Sequence, residues 1–183
     1  EENLTELEGI TVTASPFRRD LESPVSLRII GLQEIEKSPG ANRDISRIVQ
    51  SYPGVAFSPI GYRNDLIVRG GSPSENRFYL DGIEIPNINH FSTQGASGGP
   101  VGILNADLIR EVIFYTGAFP TDKGNALSSV LDFKLRDGDM EHNSLKATLG
   151  ASEVSLASNG HIGKKTSYLV SVRQSYLQFL FDM

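Results

Sequence analysis

The pair Asp81-Gly82, set between "RFYL" (77–80) and "IEI", narrows the possible folds more than any other feature. Asp-Gly between two β-prone runs signals a two-residue hairpin, because both residues tolerate the left-handed backbone that a type I′ turn requires. Another short β run, "DLIVR" (65–69), lies just upstream, set off by Gly70-Gly71-Ser72-Pro73. With 18 Gly and 9 Pro in 183 residues, such punctuation extends along the chain. A fold of short strands and many turns follows.

Residues 1–24 alternate acids, Thr and Ser, broken by Pro16 and Pro24, and read as an extended leader. Inside it, "GITVTA" is a β-prone run with no obvious place to pack. "VSLRII" (25–30) predicts a strand with Val25, Leu27 and Ile29 on one face. "LQEIEK" gives at most a two-turn helix, stopped by Pro39-Gly40. In "NRDISRIVQSYPG", Ile45, Ile48, Val49 and Tyr52 share a helical face, with Asn42 as N-cap and Pro53-Gly54 as the stop. Residues 56–64 read as a loop. So does 87–102, "NINHFSTQGASGGPVG", whose length marks it as functional or disordered. "NADLIREVIFYTG" predicts a helical turn and then a strand over 111–115, and "SSVLDFKLRDG" a strand with Leu131, Phe133 and Leu135 on one face. Residues 25–138 therefore read as one mixed α+β unit.

Beyond Gly138 the texture changes. Leu145, Ala147, Leu149 and Ala151 alternate until the parity slips near Glu153, where Val154 and Leu156 take over; this predicts a bulge or a change of exposed face. Tyr168, Val170 and Val172 alternate with Leu169, Ser171 and Arg173, so one face is apolar and the other small and polar. A strand between lipid and a wet lumen, about ten residues per crossing, has that pattern. So does any half-buried hairpin, which periodicity alone favours. No window approaches the roughly 18 apolar residues of a membrane helix. The apolar "YLQFLF" just before Met183 leads us to expect further strands after it.

The formal charge of −5 argues against nucleic acid as a partner. Without Cys there is no disulfide, thiol nucleophile or thiolate metal site. "EENLTELEG" lacks the apolar core of a signal peptide. His90, His142 and His161 have no metal-ligand spacing, and "GASGGPVG" lacks the Lys-Ser/Thr of a phosphate loop and reads as a flexible tip. No Ser sits in a G-x-S-x-G elbow. Asp65, Glu75, Asp81 and Glu84 could supply a glycosidase-like pair, but turn-forming and solvated roles explain each of them better. We therefore expect no catalytic residue, metal or cofactor. Arg69, ending an apolar strand, needs an acid: Asp81 or Glu111 within the unit, or a partner outside this chain.

Taken in order, "GITVTA", "PGV", "LIVRGG", "FYLDGIEIPN", "REVIFYTGAFPTDKG", "SSVLDFKLRDG" and "VRQSYL" resemble the plug of TonB-dependent outer-membrane receptors, most closely the Bacteroidetes-type members. The order and spacing hold over nearly the whole chain. The resemblance implies a leader (1–24), a plug (25–138) that is a small mixed β-sheet with short helices and long loops, and the start of an antiparallel barrel (139–183). Residues 144–157 and 166–178 would be the first two of about 22 barrel strands. Gly9, Ile10, Thr11, Val12, Thr13 and Ala14 would form the TonB box, which pairs with the periplasmic C-terminal domain of TonB. Strand addition of that kind needs a mobile β-former with free backbone groups. Arg69 aligns with the arginine that ion-pairs to the barrel wall. Loops 57–64, 72–76 and 87–99 would face the ligand, with Tyr62, Asn64, Asn89, His90, Phe91 and Gln94 as contacts. The implied activity is energy-coupled uptake of a small molecule, glycan or peptide across the outer membrane of a Gram-negative bacterium, without enzymatic chemistry.

Two departures stand out. Ser128-Ser129-Val130-Leu131 replaces the usual "GGVI", and "DLIREV" replaces "IERIEV", so Arg110 inherits no role. Two other readings compete: a secreted ligand-binding module that uses loop 87–102, with its last forty or so residues packed on the mixed unit, and a hydrolase built on the Asp/Glu set. Barrel strands without neighbours leave open edges that invite strand exchange.

Overall fold

The computed structural model describes residues 26–38, 44–58, 63–93, 95–99, 101–150 and 153–175. The expected TonB box, Tyr62, Gln94, Asn42 and Pro39-Gly40 lie outside them. In chain order the elements begin with β1 (Leu27–Gly31), α1 (Leu32–Lys37), α2 (Ile45–Val49), β2 (Val55–Phe57), β3 (Leu66–Val68), β4 (Asn76–Leu80) and β5 (Ile83–Ile85). There follow β6 (Asn89–His90), β7 (Val101–Gly102), a 3-10 turn at Ala106–Leu108, β8 (Ile109–Tyr115) and β9 (Ser129–Leu135). Three longer strands close the series: β10 (Ser144–Leu149), β11 (Glu153–Ile162) and β12 (Thr166–Ser175).

The central sheet has the order β1-β8-β9-β4-β5, antiparallel throughout except for the parallel β4–β9 pair. β4 and β5 form the expected hairpin, with Asp81 at φ 48° and Gly82 at φ 86°. One face of the sheet makes the core. Ile30, Val112, Phe114, Leu131, Phe133 and Phe78 lie there, covered by Ile35 of α1 and by Ile45, Ile48 and Val49 of α2. The register places Ile30 opposite Val112, and Val112 opposite Phe133, so β1 turns Ile30 inward. This corrects the expected face of Leu27 and Ile29, which are only half-buried. A run such as "LRII" is apolar at both parities, and its partner strand decides which side is buried.

Two further expectations change. Residues 56 and 57, expected to begin a loop, are strand: they pair with β3 through Ala56–Ile67 and Phe57–Leu66. The cap of α2 is Asp44, whose side chain accepts from the Ser46 amide. Tyr52 packs where the apolar stripe placed it, stacked on Phe114 at 6.4 Å between ring centroids, with the Arg28 guanidinium 4.9 Å from its ring.

The opposite face of β9 carries an ion cluster. Asp132 Oδ2 meets Lys123 Nζ and Lys134 Nζ, each at 3.1 Å, and Lys123 also lies 4.2 Å from the ring centre of Tyr79. Burial alone would lower the Lys123 ammonium, but its hydrogen bond and charge contact with Asp132 outweigh that and raise it. Both side chains are over nine-tenths buried, so this cluster fastens segment 117–128 across the sheet.

β10, β11 and β12 form a separate antiparallel sheet. Leu149 pairs directly with Val154, so the parity slip near Glu153 is a strand reversal and not a bulge. The run once read as a single strand over 144–157 is two strands, giving three in place of two.

Asp132→Ala leaves two lysines beside an empty buried site. Urea unfolding followed by circular dichroism should show a loss of about 3–5 kcal/mol.

Candidate functional site

Two buried carboxylates organise one end of the mixed unit. Asp44 Oδ1 accepts from the Ser46 amide at 2.9 Å. Its Oδ2 accepts from Asn64 Nδ2 at 2.8 Å and from Asn89 Nδ2 at 3.0 Å. Asn89 also accepts from Ser46 Oγ at 2.7 Å and donates to the Gly99 carbonyl at 3.0 Å. The start of α2, the approach to β3 and the loop after β6 are thus tied to one carboxylate. Burial pushes the Asp44 carboxyl above its ordinary value of 3.8, against the pull of the Ser46 hydrogen bonds, the Arg47 charge and Asn89.

Asp65 fastens the same loops from the other side. Its Oδ1 accepts from the amides of Ser97 and Gly98 at 3.0 and 3.1 Å, and its Oδ2 pairs with Arg63 Nε at 2.7 Å. Ser97 Oγ accepts from the Leu66 amide at 3.0 Å. A Cβ at Gly98 would fall 2.4 Å from the Asn64 carbonyl oxygen, and one at Gly99 only 1.8 Å from that of His90. "GASGG" is therefore a close-packed junction at Gly98-Gly99, not the flexible tip expected. Glycine is needed there because backbone meets backbone.

Outward from this frame stand His90 and Phe91, their rings 6.0 Å apart, with Phe57 exposed on β2. Phe91 is 79% exposed and holds φ at 59°, a left-handed conformation for a bulky residue. That costs roughly 1–3 kcal/mol and persists only where the surroundings impose it. The cavity beside Asp44, about 10 Å³ and lined by Ile88, Leu104 and Phe133 among others, has room for about one water.

Of the expected contact residues, His90 and Phe91 face solvent. Asn64 and Asn89 do not: they are 5% and 1% exposed and are engaged with Asp44, which corrects their expected role. Arg69 is exposed at φ 51°, and Nη2 donates to Thr116 Oγ1 at 3.2 Å. Thr116 Oγ1 donates in turn to the Ser26 carbonyl at 3.1 Å. Neither internal acid proposed for Arg69 pairs with it: Asp81 accepts from the Leu135 amide, and Glu111 pairs with Arg110. Three of the four carboxylates considered for hydrolysis serve separate tasks: Asp65 holds the Ser97 and Gly98 amides, Asp81 the Leu135 amide, and Glu84 pairs with Arg77. Among the described residues no three His, Asp or Glu side chains gather as metal ligands.

The three-stranded sheet meets the mixed unit through its polar side. In the row Lys146–Ala157–Ser171, Lys146 Nζ lies 2.6 Å from Glu36 Oε1 and 3.1 Å from Asp107 Oδ1, and Asn105 Nδ2 donates to Ser171 Oγ at 2.5 Å. In the next row, Thr148–Ser155–Arg173, Arg173 donates to the carbonyls of Gly102 and Ile103. Ala157 and Ser155 between them are buried and small enough to admit the approach. The other side carries Leu145, Leu149, Val154, Leu156, Ile162, Val170 and Val172, all exposed. Sequence reading found the alternation but not Lys146; a lone cation at the polar parity of such a strand was the available signal.

A family model described as TonB-dependent Receptor Plug Domain matches residues 19–130. Among solved structures, the chain is similar to a variant of the ferric enterobactin receptor PfeA from Pseudomonas aeruginosa, with TM-score 0.59, 19% identity, and coverage of 81% of this chain and 24% of that one. It is similar also to P. aeruginosa FpvA bound to heterologous pyoverdines (TM-score 0.56, 18% identity, 84% and 21%). A third likeness is the outer membrane transporter YddB from Escherichia coli (TM-score 0.53, 17% identity, 72% and 24%). The chain spans about a quarter of the length of these proteins or less. No curated protein sequence matches it.

Asp44→Ala should cost about 2–4 kcal/mol through the lost cap and the orphaned amides. Because the folded carboxyl binds its proton more tightly than the unfolded one, wild-type stability should fall as pH rises from about 3.8 through the raised value. Denaturant titrations across that window should show this component in the wild type and not in Asp44→Ala. Gly99→Ala should cost at least about 2 kcal/mol by the same assay, and Gly124→Ala, whose added Cβ meets nothing within 4 Å, should stay within about 0.5 kcal/mol.

Proposed function

The chain belongs to the TonB-dependent receptor plug domain family, and on that premise we propose that it forms the gate and the first wall strands of an outer-membrane receptor for energy-coupled uptake. The observation that carries this reading is the inverted polarity of β10–β12. In water, a sheet beside a core buries its apolar side. Here the polar side faces the plug and seven large apolar side chains point away. β11 and β12 are ten residues each, the length of a tilted membrane strand. A barrel of about 22 strands closed around the plug would place lipid against those side chains. A secreted module without a barrel would leave them in water, at about 1.5–3 kcal/mol for each fully exposed Leu, Ile or Val.

In this account, Gly9–Ala14 is the TonB box, offered to the periplasmic C-terminal domain of TonB as an added strand, and Pro16 keeps the run from extending into the fold. Tyr62, His90, Phe91 and Gln94 face a scarce substrate, a small molecule, glycan or peptide, at the outer end of the plug. Arg69 reaches for the wall or, as here, for Thr116. Nothing in the reading calls for bond-making chemistry or a cofactor.

Pull-down of the full-length receptor with the periplasmic domain of TonB, using chains with and without residues 1–15, tests the proposal. Capture should be lost on deletion; equal capture by both would contradict the assignment of Gly9–Ala14.

A further inference from the structure

Resting on that reading and going beyond it, we propose that Lys146 is a positioning residue for the gate: through Glu36 and Asp107 it fixes the first helix of the plug to the first wall strand. α1 follows β1 directly, with Leu32 next to Gly31. β1 is an edge strand of the central sheet, and the leader joins the plug just ahead of it. Tension arriving at Ser26 therefore reaches α1 through one five-residue strand, with no slack loop between.

By itself α1 is lightly held: toward α2 its one side-chain hydrogen bond among the described residues is from the Tyr52 hydroxyl to Glu34. It has six residues, too few to persist as an isolated helix, and Ile35 is its one buried side chain. The fastening toward the three-stranded sheet is electrostatic. Lys146 Nζ touches Glu36 on the exposed side of α1 and Asp107 in the turn before β8, and the Asp107 side chain is only 4% exposed. The Glu36 hydrogen bond and the Asp107 contacts hold the ammonium above its ordinary value despite some burial. Arg173 and Ser171 also bridge sheet and plug, but they engage 102–105, whereas Lys146 alone of these three reaches α1. The contact bridges the element nearest the leader and the first strand of the three-stranded sheet.

Hydrogen-exchange mass spectrometry on the full-length receptor in detergent tests this with Lys146→Met, which keeps the aliphatic stem, Lys146→Arg, which keeps the charge, and Glu36→Gln. Amides of residues 32–37 should exchange roughly tenfold faster in the Met and Gln variants, while β8 and β9 are unchanged and the Arg variant matches wild type. Wild-type exchange of α1 in Lys146→Met, or an acceleration spread evenly over β8 and β9, would overturn the proposal. TonB pull-down on the same samples keeps the two readings apart. Failure of the wild type there sinks the uptake reading, and the exchange comparison still decides the role of Lys146.

Discussion

The structure depends on a sheet whose apolar side points away from the core that the described residues build beside it. Polar and small residues at one parity of β10–β12 rest on the plug; Leu, Ile and Val at the other have no protein cover among the described residues. Exposed to water, those seven side chains would cost on the order of 10 kcal/mol, comparable to the whole stability of a domain. The arrangement makes sense where the outer medium is hydrocarbon, which removes the cost and in turn demands that every backbone group find a partner. Strand pairing meets that demand only in a closed sheet, so the polarity of three strands already points to a barrel.

The same constraint explains how the plug is built. In a polar lumen it would need polar contacts, and its contacts to the three-stranded sheet are ion pairs and hydrogen bonds at Lys146, Ser171 and Arg173. Contacts of that kind seat one body inside another without gluing it there, since each is modest in a wet interior. Rigidity is placed at one end of the plug, where Asp44 and Asp65 gather loops that carry little regular structure. On the side where the chain enters the sheet, β1 is an edge strand, paired with β8 alone.

What could be read from sequence was local or periodic. The Asp81-Gly82 hairpin, the apolar stripe of α2 and the strand over 129–135 followed from neighbours in the chain. What failed depended on distant partners. β1 showed two apolar parities, and only its register with β8 chose Ile30 for the core. The resemblance implies ligand contacts at Asn64 and Asn89 by placing their loops at the ligand side; a carboxylate twenty or more positions away draws both inside. The parity slip near Glu153 fits a bulge or a reversal equally well until Leu149 is seen paired with Val154. Lys146 gave no sign of its role, because Glu36 and Asp107 lie in segments that no local rule connects to it.

The most direct test of the central claim is nitroxide accessibility in the full-length protein reconstituted in lipid. These 183 residues contain no Cys, so single labels can be placed in them once any Cys elsewhere in the full-length protein is replaced. Labels at Leu145, Leu156 and Val172 should relax readily with oxygen and poorly with a water-soluble nickel chelate, while labels at Lys146, Ala157 and Ser171 should be shielded from oxygen, giving a period of two along each strand. If the outward positions met the nickel chelate as freely as an exposed loop does, the sheet would not face lipid and the account would fail.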